Sequence, residues 1–213
     1  MIKVEFHCHT CYSKDSLVRL QQLASTCQAK GIHRLVITDH NTIQGGLRAM
    51  EINPQQFIVG EEIMTQQGEL IGTFVREQVP AGLPALKTIE ILRAQGAFIS
   101  IAHPFDIYRK GHWELSDLQS IIEMVDAVEV FNARCIHPRA NLQAKKFALK
   151  EQLPTMVGSD AHSLVEIGAA TLTLPDFDDT ACLKQALEGA QAHVHLSPPW
   201  VHLYSRFAAW RKS

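Results

Sequence analysis

The sequence predicts an α/β barrel, and three observations carry that prediction. Short apolar runs rich in Val and Ile alternate with helical patterns along most of the 213 residues, the order expected of strands covered by helices. Several of the runs are continuously apolar, as parallel strands buried on both faces require. Residues able to bind metal recur where the strands end: His7 and His9, Asp39 and His40, Glu61 and Glu62, His103, Glu129, Asp160 and His162. A barrel collects such residues from many strands at its C-terminal mouth, whereas a doubly wound open sheet concentrates them at one switch point.

The elements follow in order. The first strand, at 2–9, reads "IKVEFHCH" and alternates, with Ile2, Val4, Phe6 and Cys8 on one parity and Lys3, Glu5, His7 and His9 on the other. A helical pattern over 17–31 closes on Gly31, a residue suited to ending a helix. Strands are expected at 34–40 ("RLVITDH") and 57–63 ("FIVGEEI"), the second joined to 69–75 ("ELIGTFV") by the hairpin-length turn "TQQG". A helix over 83–96 closes on Gly96 and leads into "AFISIAH" at 97–103. "AVEVF" at 127–131 and "TMVGSD" at 155–160 flank a helix over 138–152, and "AATLTL" at 169–174 precedes a helical extension over 176–213. No repeat, low-complexity tract or long linker interrupts this order, so a single domain over 1–213 is expected.

Composition narrows the function classes. A net charge of −2 argues against a general binder of nucleic acid or anionic membrane, though a metal site can still attract a small phosphorylated substrate. The 5 cysteines lack framework spacing and fit a reducing compartment. The chain opens directly on a strand, without the basic and apolar regions of a signal peptide, and no apolar run approaches bilayer length. A cytoplasmic location without membrane contact is the expectation.

"HCHTCYSKD" at 7–15 holds two rival metal motifs. Strand parity sets Cys8 among apolar residues, where a thiol behaves as a small hydrophobe, and Cys27, Cys135 and Cys182 supply no second pair for a C-x-x-C zinc site. His7 and His9 project to the same side and can share one ion. A second H-x-H, His193 and His195, reads as ordinary strand or loop histidines. "ITDHN", "GSDAH" and "AHP" each have bland explanations as turns and caps, but several ligand-type clusters at strand ends jointly point to metal.

In this order, H-x-H, "ITDHN", "GEEI", "AHP" and "GSDAH" resemble the PHP family, named for polymerase and histidinol phosphatase domains, over roughly residues 1–175. Within it the chain is similar to the short metal-dependent phosphoesterases. The resemblance implies a distorted seven-stranded β/α barrel with two or three divalent ions, Zn, Mn or Fe, at its mouth. By position it implies that His7, His9, Glu62 and Asp160 hold the first ion. Glu62 would bridge to a second, which also takes His103, while Asp15, His40 and His162 would hold a third. Glu62 is preferred to Glu61 because the family motif is G-x-E. Relatives often carry a metal-binding His where this chain has Glu69; a carboxylate there favours a harder ion such as Mn.

The implied activity is hydrolysis of a phosphate ester of a small molecule, with nucleotides among the candidates, by a hydroxide bridging two ions. Glu62, Asp160 and His162 are the residues expected at the catalytic centre. Three divalent ions against four carboxylates leave about +2, suited to a phosphomonoester dianion. Arg109 and Arg134 are candidates for phosphate contact, Tyr108 and Trp113 for stacking on a base or covering the mouth, and Asp39 for supporting a liganding histidine. Two other classes compete: amidohydrolase-like cleavage of a C–N or lactone bond, and a PHP domain that binds metal without catalysis.

Overall fold

The alternation of strands and helices closes on itself. In the computed structural model, which describes residues 1–213, the strands β1 (Ile2–Cys8), β2 (Arg34–Ile37), β3 (Phe57–Met64), β4 (Glu69–Thr73), β5 (Phe98–Ile101), β6 (Ala127–Asn132) and β7 (Thr155–Gly158) stand side by side in chain order. All neighbours are parallel except β4, which runs against both β3 and β5. The ring is nearly closed at the mouth, where His9 N–H donates to the Ala161 carbonyl at 2.8 Å and Ala161 N–H to that of His7 at 3.3 Å. Away from the mouth, β1 takes β8 (Ala170–Leu174) as an antiparallel neighbour instead, and β9 (Gln191–Val194) extends that edge. The distorted seven-stranded α/β barrel is therefore present, with β8 and β9 as an appended hairpin-like flap.

The connections α1 (Leu20–Ala29), α2 (Gln44–Ile52), α3 (Ala85–Ala94), α4 (Leu115–Ile121) and α5 (Arg139–Lys150) are helical. Beyond the barrel, α6 (Thr180–Leu187) lies between β8 and β9, and α7 (Val201–Lys212) follows them. The stretch 176–213 is thus not helical throughout: β9 divides it, because its backbone completes the free edge of β8. His193, on β9, bonds Thr173 Oγ1 at 3.1 Å on the surface. α2 escapes a periodicity reading because its first turn contains Gly45 and Gly46, poor helix formers. Gly45 is required there, since a Cβ would stand 1.9 Å from Asp39 Oδ2. No helix is long and apolar enough to cross a membrane.

β1 departs from simple alternation. Its pairing with β2 slips between Glu5 and Cys8, the mark of a β-bulge. Val4 and Phe6 pack with Val36, Ile58 and Phe98, whereas Cys8 packs with Leu23, Leu35 and Ile37. Val36 and its neighbours Leu35 and Ile37 lie on opposite faces of β2, so Phe6 and Cys8 do as well. The expected shared face of Val4, Phe6 and Cys8 is therefore wrong. Cys8 is nonetheless an apolar-core residue, fully buried, with burial pushing its thiol well above the ordinary range. Cys11 is exposed, and no disulfide forms.

Cys8→Ser is expected to lose about 1–2 kcal/mol of stability through its buried hydroxyl, while binding as much metal as the wild type. Urea unfolding and metal analysis of Cys8→Ser, Cys11→Ser and His9→Ala test this together. Metal lost from either serine variant but kept by His9→Ala would return the chemistry to the thiols.

Candidate metal centre

The residues expected to bind metal converge on one carboxylate. β3 alternates so that Ile58, Gly60 and Glu62 share a face while Glu61 faces the other way. Glu62 Oε1 lies 2.9 Å from His103 Nε2 and 3.3 Å from His7 Nε2. Its Oε2 lies 3.0 Å from His40 Nδ1 and 3.3 Å from His9 Nε2. Each oxygen therefore faces its own pair of imidazoles. Glu61, by contrast, is buried against the outer layer and accepts from Val79 N–H at 2.9 Å. Its hydrogen bond therefore lies outside the cluster.

The other strand ends complete the ring. Asp160 Oδ1 is 3.2 Å from His9 Nε2 and 3.7 Å from His7 Nε2. Asp15, from the loop after β1, brings Oδ2 to 3.3 Å from His162 Nε2 and 3.6 Å from His40 Nε2. Glu69 reaches His103 at 3.5 Å and His40 at 3.8 Å. It arrives at the mouth because β4 runs in reverse, so its first residue sits where other strands end. His103 and Asp160 hold left-handed backbones, at φ 25° and 53°, conformations that non-glycine residues adopt mainly where surrounding structure enforces them.

Hydrogen bonds outside the ring fix the imidazoles. His7 Nδ1 bonds Glu129 Oε1 at 2.8 Å, which leaves Nε2 toward Glu62. His9 Nδ1 bonds Ser13 Oγ at 3.1 Å, and Ser13 Oγ donates to Asp39 Oδ1 at 2.7 Å. Asp39 thus supports His9 through Ser13, and it also accepts from the Thr10 backbone and hydroxyl, each at 2.6 Å. Glu129, one of the strand-end residues able to bind metal by sequence, instead supports His7 from outside the ring. Ser13 left no signal, since its role depends on how the loop folds back.

These groups fit divalent cations. Four groupings of three or more His and carboxylate donors bring their ligand atoms within 4.8 Å of one another: His7–Glu62–His103, His7–His9–Asp160, His9–His40–His162 and His40–Glu62–Glu69. Glu62 Oε2, Asp160 Oδ1 and Asp15 Oδ1 are buried without a well-aligned hydrogen bond, a costly arrangement unless a cation completes it. Burial and the nearby charge of Glu62 raise the Glu69 carboxyl. Burial, His9 and Arg134 push His162 down to about 3, keeping it in the neutral form that ligates metal.

A cleft of about 510 Å³ opens over the cluster, with Lys14, Tyr108, Arg109, Lys110, Arg134 and His202 on its walls. Arg109 pairs with Asp160 and, at 3.0 Å, with Asp106. Arg134 is buried; its Nη2 donates to Ser205 Oγ on α7 at 2.8 Å, and its Nη1 lies 3.4 Å from Glu166. Tyr108 is exposed at the rim, but Trp113 is buried under the β3–β4 turn and donates to the Glu69 carbonyl at 3.1 Å. Trp113 therefore braces the hairpin and is closed to stacking. α7 also reaches the loop that carries Asp15: Lys212 Nζ donates to the carbonyls of Cys11, Ser13 and Ser16 at 2.8, 2.6 and 2.6 Å.

Known proteins place this geometry in context. Residues 5–130 match the PHP domain and residues 138–189 the PHP-associated region. The uncharacterized protein MJ0417 of Methanocaldococcus jannaschii is 34% identical over 181 residues, 83% of this chain and 72% of that one. A two-domain protein from Bacteroides vulgatus, containing a predicted PHP-like metal-dependent phosphoesterase, shares the fold with a TM-score of 0.71 at 18% identity, over 91% of this chain and 65% of that one. An amidohydrolase from Chromobacterium violaceum, solved with sulfate, superposes with a TM-score of 0.59 at 13% identity, over 95% and 96% of the two chains. With its barrel, its histidine–carboxylate mouth and a domain match spanning more than half its length, the chain belongs to the PHP family.

Proposed function

We propose that the chain is a hydrolase that releases phosphate from a small phosphorylated molecule, using two or three divalent ions at the barrel mouth. The observation that supports this reading is Glu62, a fully buried carboxylate with four imidazoles, those of His7, His9, His40 and His103, within 3.3 Å of its oxygens, a donor set suited to more than one cation. In this reading His7, His9, Glu62 and Asp160 would hold the first ion, Glu62, His103 and Glu69 would hold the second, and Asp15, His40 and His162 would hold the third. Zn, Mn and Fe all suit imidazole and carboxylate donors, and the extra oxygen of Glu69 favours Mn at the second position. When bound, such ions supply Lewis acidity that activates water and polarises the phosphoryl group.

The chain's own residues position the substrate. Arg109 and Arg134 enter the cleft from loops after β5 and β6, and a guanidinium pairs with phosphoryl oxygens through paired N–H groups. Asp106 steadies Arg109 and Ser205 steadies Arg134, while Arg134 Nη1 has no well-aligned hydrogen bond of its own. Lys14 and Lys110 add positive charge at the rim, and Tyr108 offers a flat face to a nucleotide base. The cleft volume suits a molecule of mononucleotide size. The amidohydrolase likeness favours a second reading, cleavage of a C–N or lactone bond, which would leave the two arginines without a phosphate to bind.

Chelator-treated protein is expected to release no phosphate from mononucleotides, sugar phosphates or phosphodiesters, and to regain activity on addition of Mn, Zn or Fe. Metal-loaded protein that leaves the whole panel intact yet opens amides or lactones would favour the second reading.

Glu62→Gln should stay folded, bind fewer ions and lose turnover by about 10³-fold or more. Glu61→Gln should stay within about tenfold of wild type, since its bond to Val79 lies outside the cluster. Metal content and turnover at saturating Mn compare the two; the reverse ranking would overturn Glu62 as the shared ligand.

A further inference from the structure

α7 presents two faces with different roles. Val201, Ser205 and Ala208 are buried against the body of the protein. On the opposite side, Trp200 at the N-cap, whose backbone is already helical, and Leu203, Phe207 and Trp210 are exposed by 50%, 66%, 48% and 72%. At 100° per residue these four fall within an arc of roughly 80°, one continuous stripe. Phe207 and Trp210 already touch, their ring centroids 5.9 Å apart. With large side chains contributing roughly 150–250 Å² each when fully exposed, the stripe leaves on the order of 500 Å² of apolar surface in water. That is near the top of what a monomer ordinarily exposes in one patch.

We propose that this stripe is the interface of a two-fold homodimer in which α7 packs antiparallel against α7 of a second copy. The spacing is self-complementary. Trp200 and Trp210 lie equally far on either side of Ser205, as do Leu203 and Phe207. An antiparallel pair centred at that level sets Trp200 against the second copy's Trp210, and Leu203 against its Phe207. Every pairing is reciprocal, which is what a two-fold interface demands. The positions 200, 203, 207 and 210 also carry the alternating three- and four-residue spacing of a helix–helix seam.

Area supports a second copy as the occupant. Two stripes together remove about 1,000 Å² of apolar surface, before any flanking residue is counted, and this reaches the size of a specific interface. Tryptophans at both ends of the seam are the residue type that most often dominates such contacts. Salt dependence distinguishes this occupant from a lipid surface. Arg206 and Arg211 flank the stripe, and α7 contains no acidic residue. Around a two-fold axis the Arg206 side chains flank the same seam, so screening their repulsion with salt strengthens the dimer. An anionic surface would attract them, and salt would weaken that attachment.

Sedimentation of the full chain tests the proposal. The expected mass is twice 23.8 kDa, with dimer fraction rising with concentration and unchanged or greater in high salt. Leu203→Glu and Phe207→Glu, each on the exposed face, should weaken dimerisation by about 100-fold or more, while circular dichroism and bound metal stay at wild-type levels. A chain that is monomeric at 100 μM would overturn the proposal, as would a dimer indifferent to both substitutions. Monomers that bind vesicles of anionic lipid in low salt, and are released by high salt, would overturn it in favour of a lipid surface.

Discussion

The mouth of this barrel is organised by a concentration of buried negative charge. Asp15, Glu62, Glu69 and Asp160 lie within contact of the same histidines, and Arg109 is the one permanently charged cation paired directly into them. Carboxylates packed this closely repel one another in a low-dielectric setting unless positive charge lies between them. Burial alone would raise Asp160, yet Arg109 and His7 hold it well below the usual carboxylate range. The left-handed backbones of His103 and Asp160, the glycine at 45 and the bonds of Glu129 and Ser13 all serve to hold these groups together.

The barrel gives this arrangement its rigidity. Ligand groups come from the ends of β1, β3, β5 and β7, from the start of β4 and from the loops beside them, so each is fixed by a different backbone ladder. No single loop can move without separating donors that belong to different strands. The bulges in β1 and β6 adjust this scaffold locally. The β1 bulge lets apolar Phe6 fill the barrel below while His7 and His9 both reach the mouth, which uninterrupted alternation would not allow.

Most of this was legible because it is local. Apolar runs marked every barrel strand, and the strand-end positions of His7, His9, His40, Glu62, His103 and Asp160 put them at one rim once a barrel was accepted. What stayed hidden depends on distant pairing. The β1 bulge is a property of register with β2, invisible in "IKVEFHCH" itself. β9 exists because β8 offers it a free edge, and its exposed residues carry no apolar pattern. The sequence leaves Trp113 open between stacking and covering the mouth, because its burial depends on Gly68, 45 positions earlier, leaving room for its ring.

The three carbonyls gripped by Lys212 tie one of the earliest loops of the chain to its last helix, across 196 residues from Ser16. Such a contact belongs to the class that closes late, because a long loop must be ordered before it forms. During synthesis the segment bearing Asp15 leaves the ribosome long before its anchor does. Domains made this way acquire their final contacts only when the distal segment arrives. The Lys212 clamp on this loop therefore forms only after the barrel strands have been made. Until then the loop rests on nearer bonds, those of Thr10 and Ser13 to Asp39.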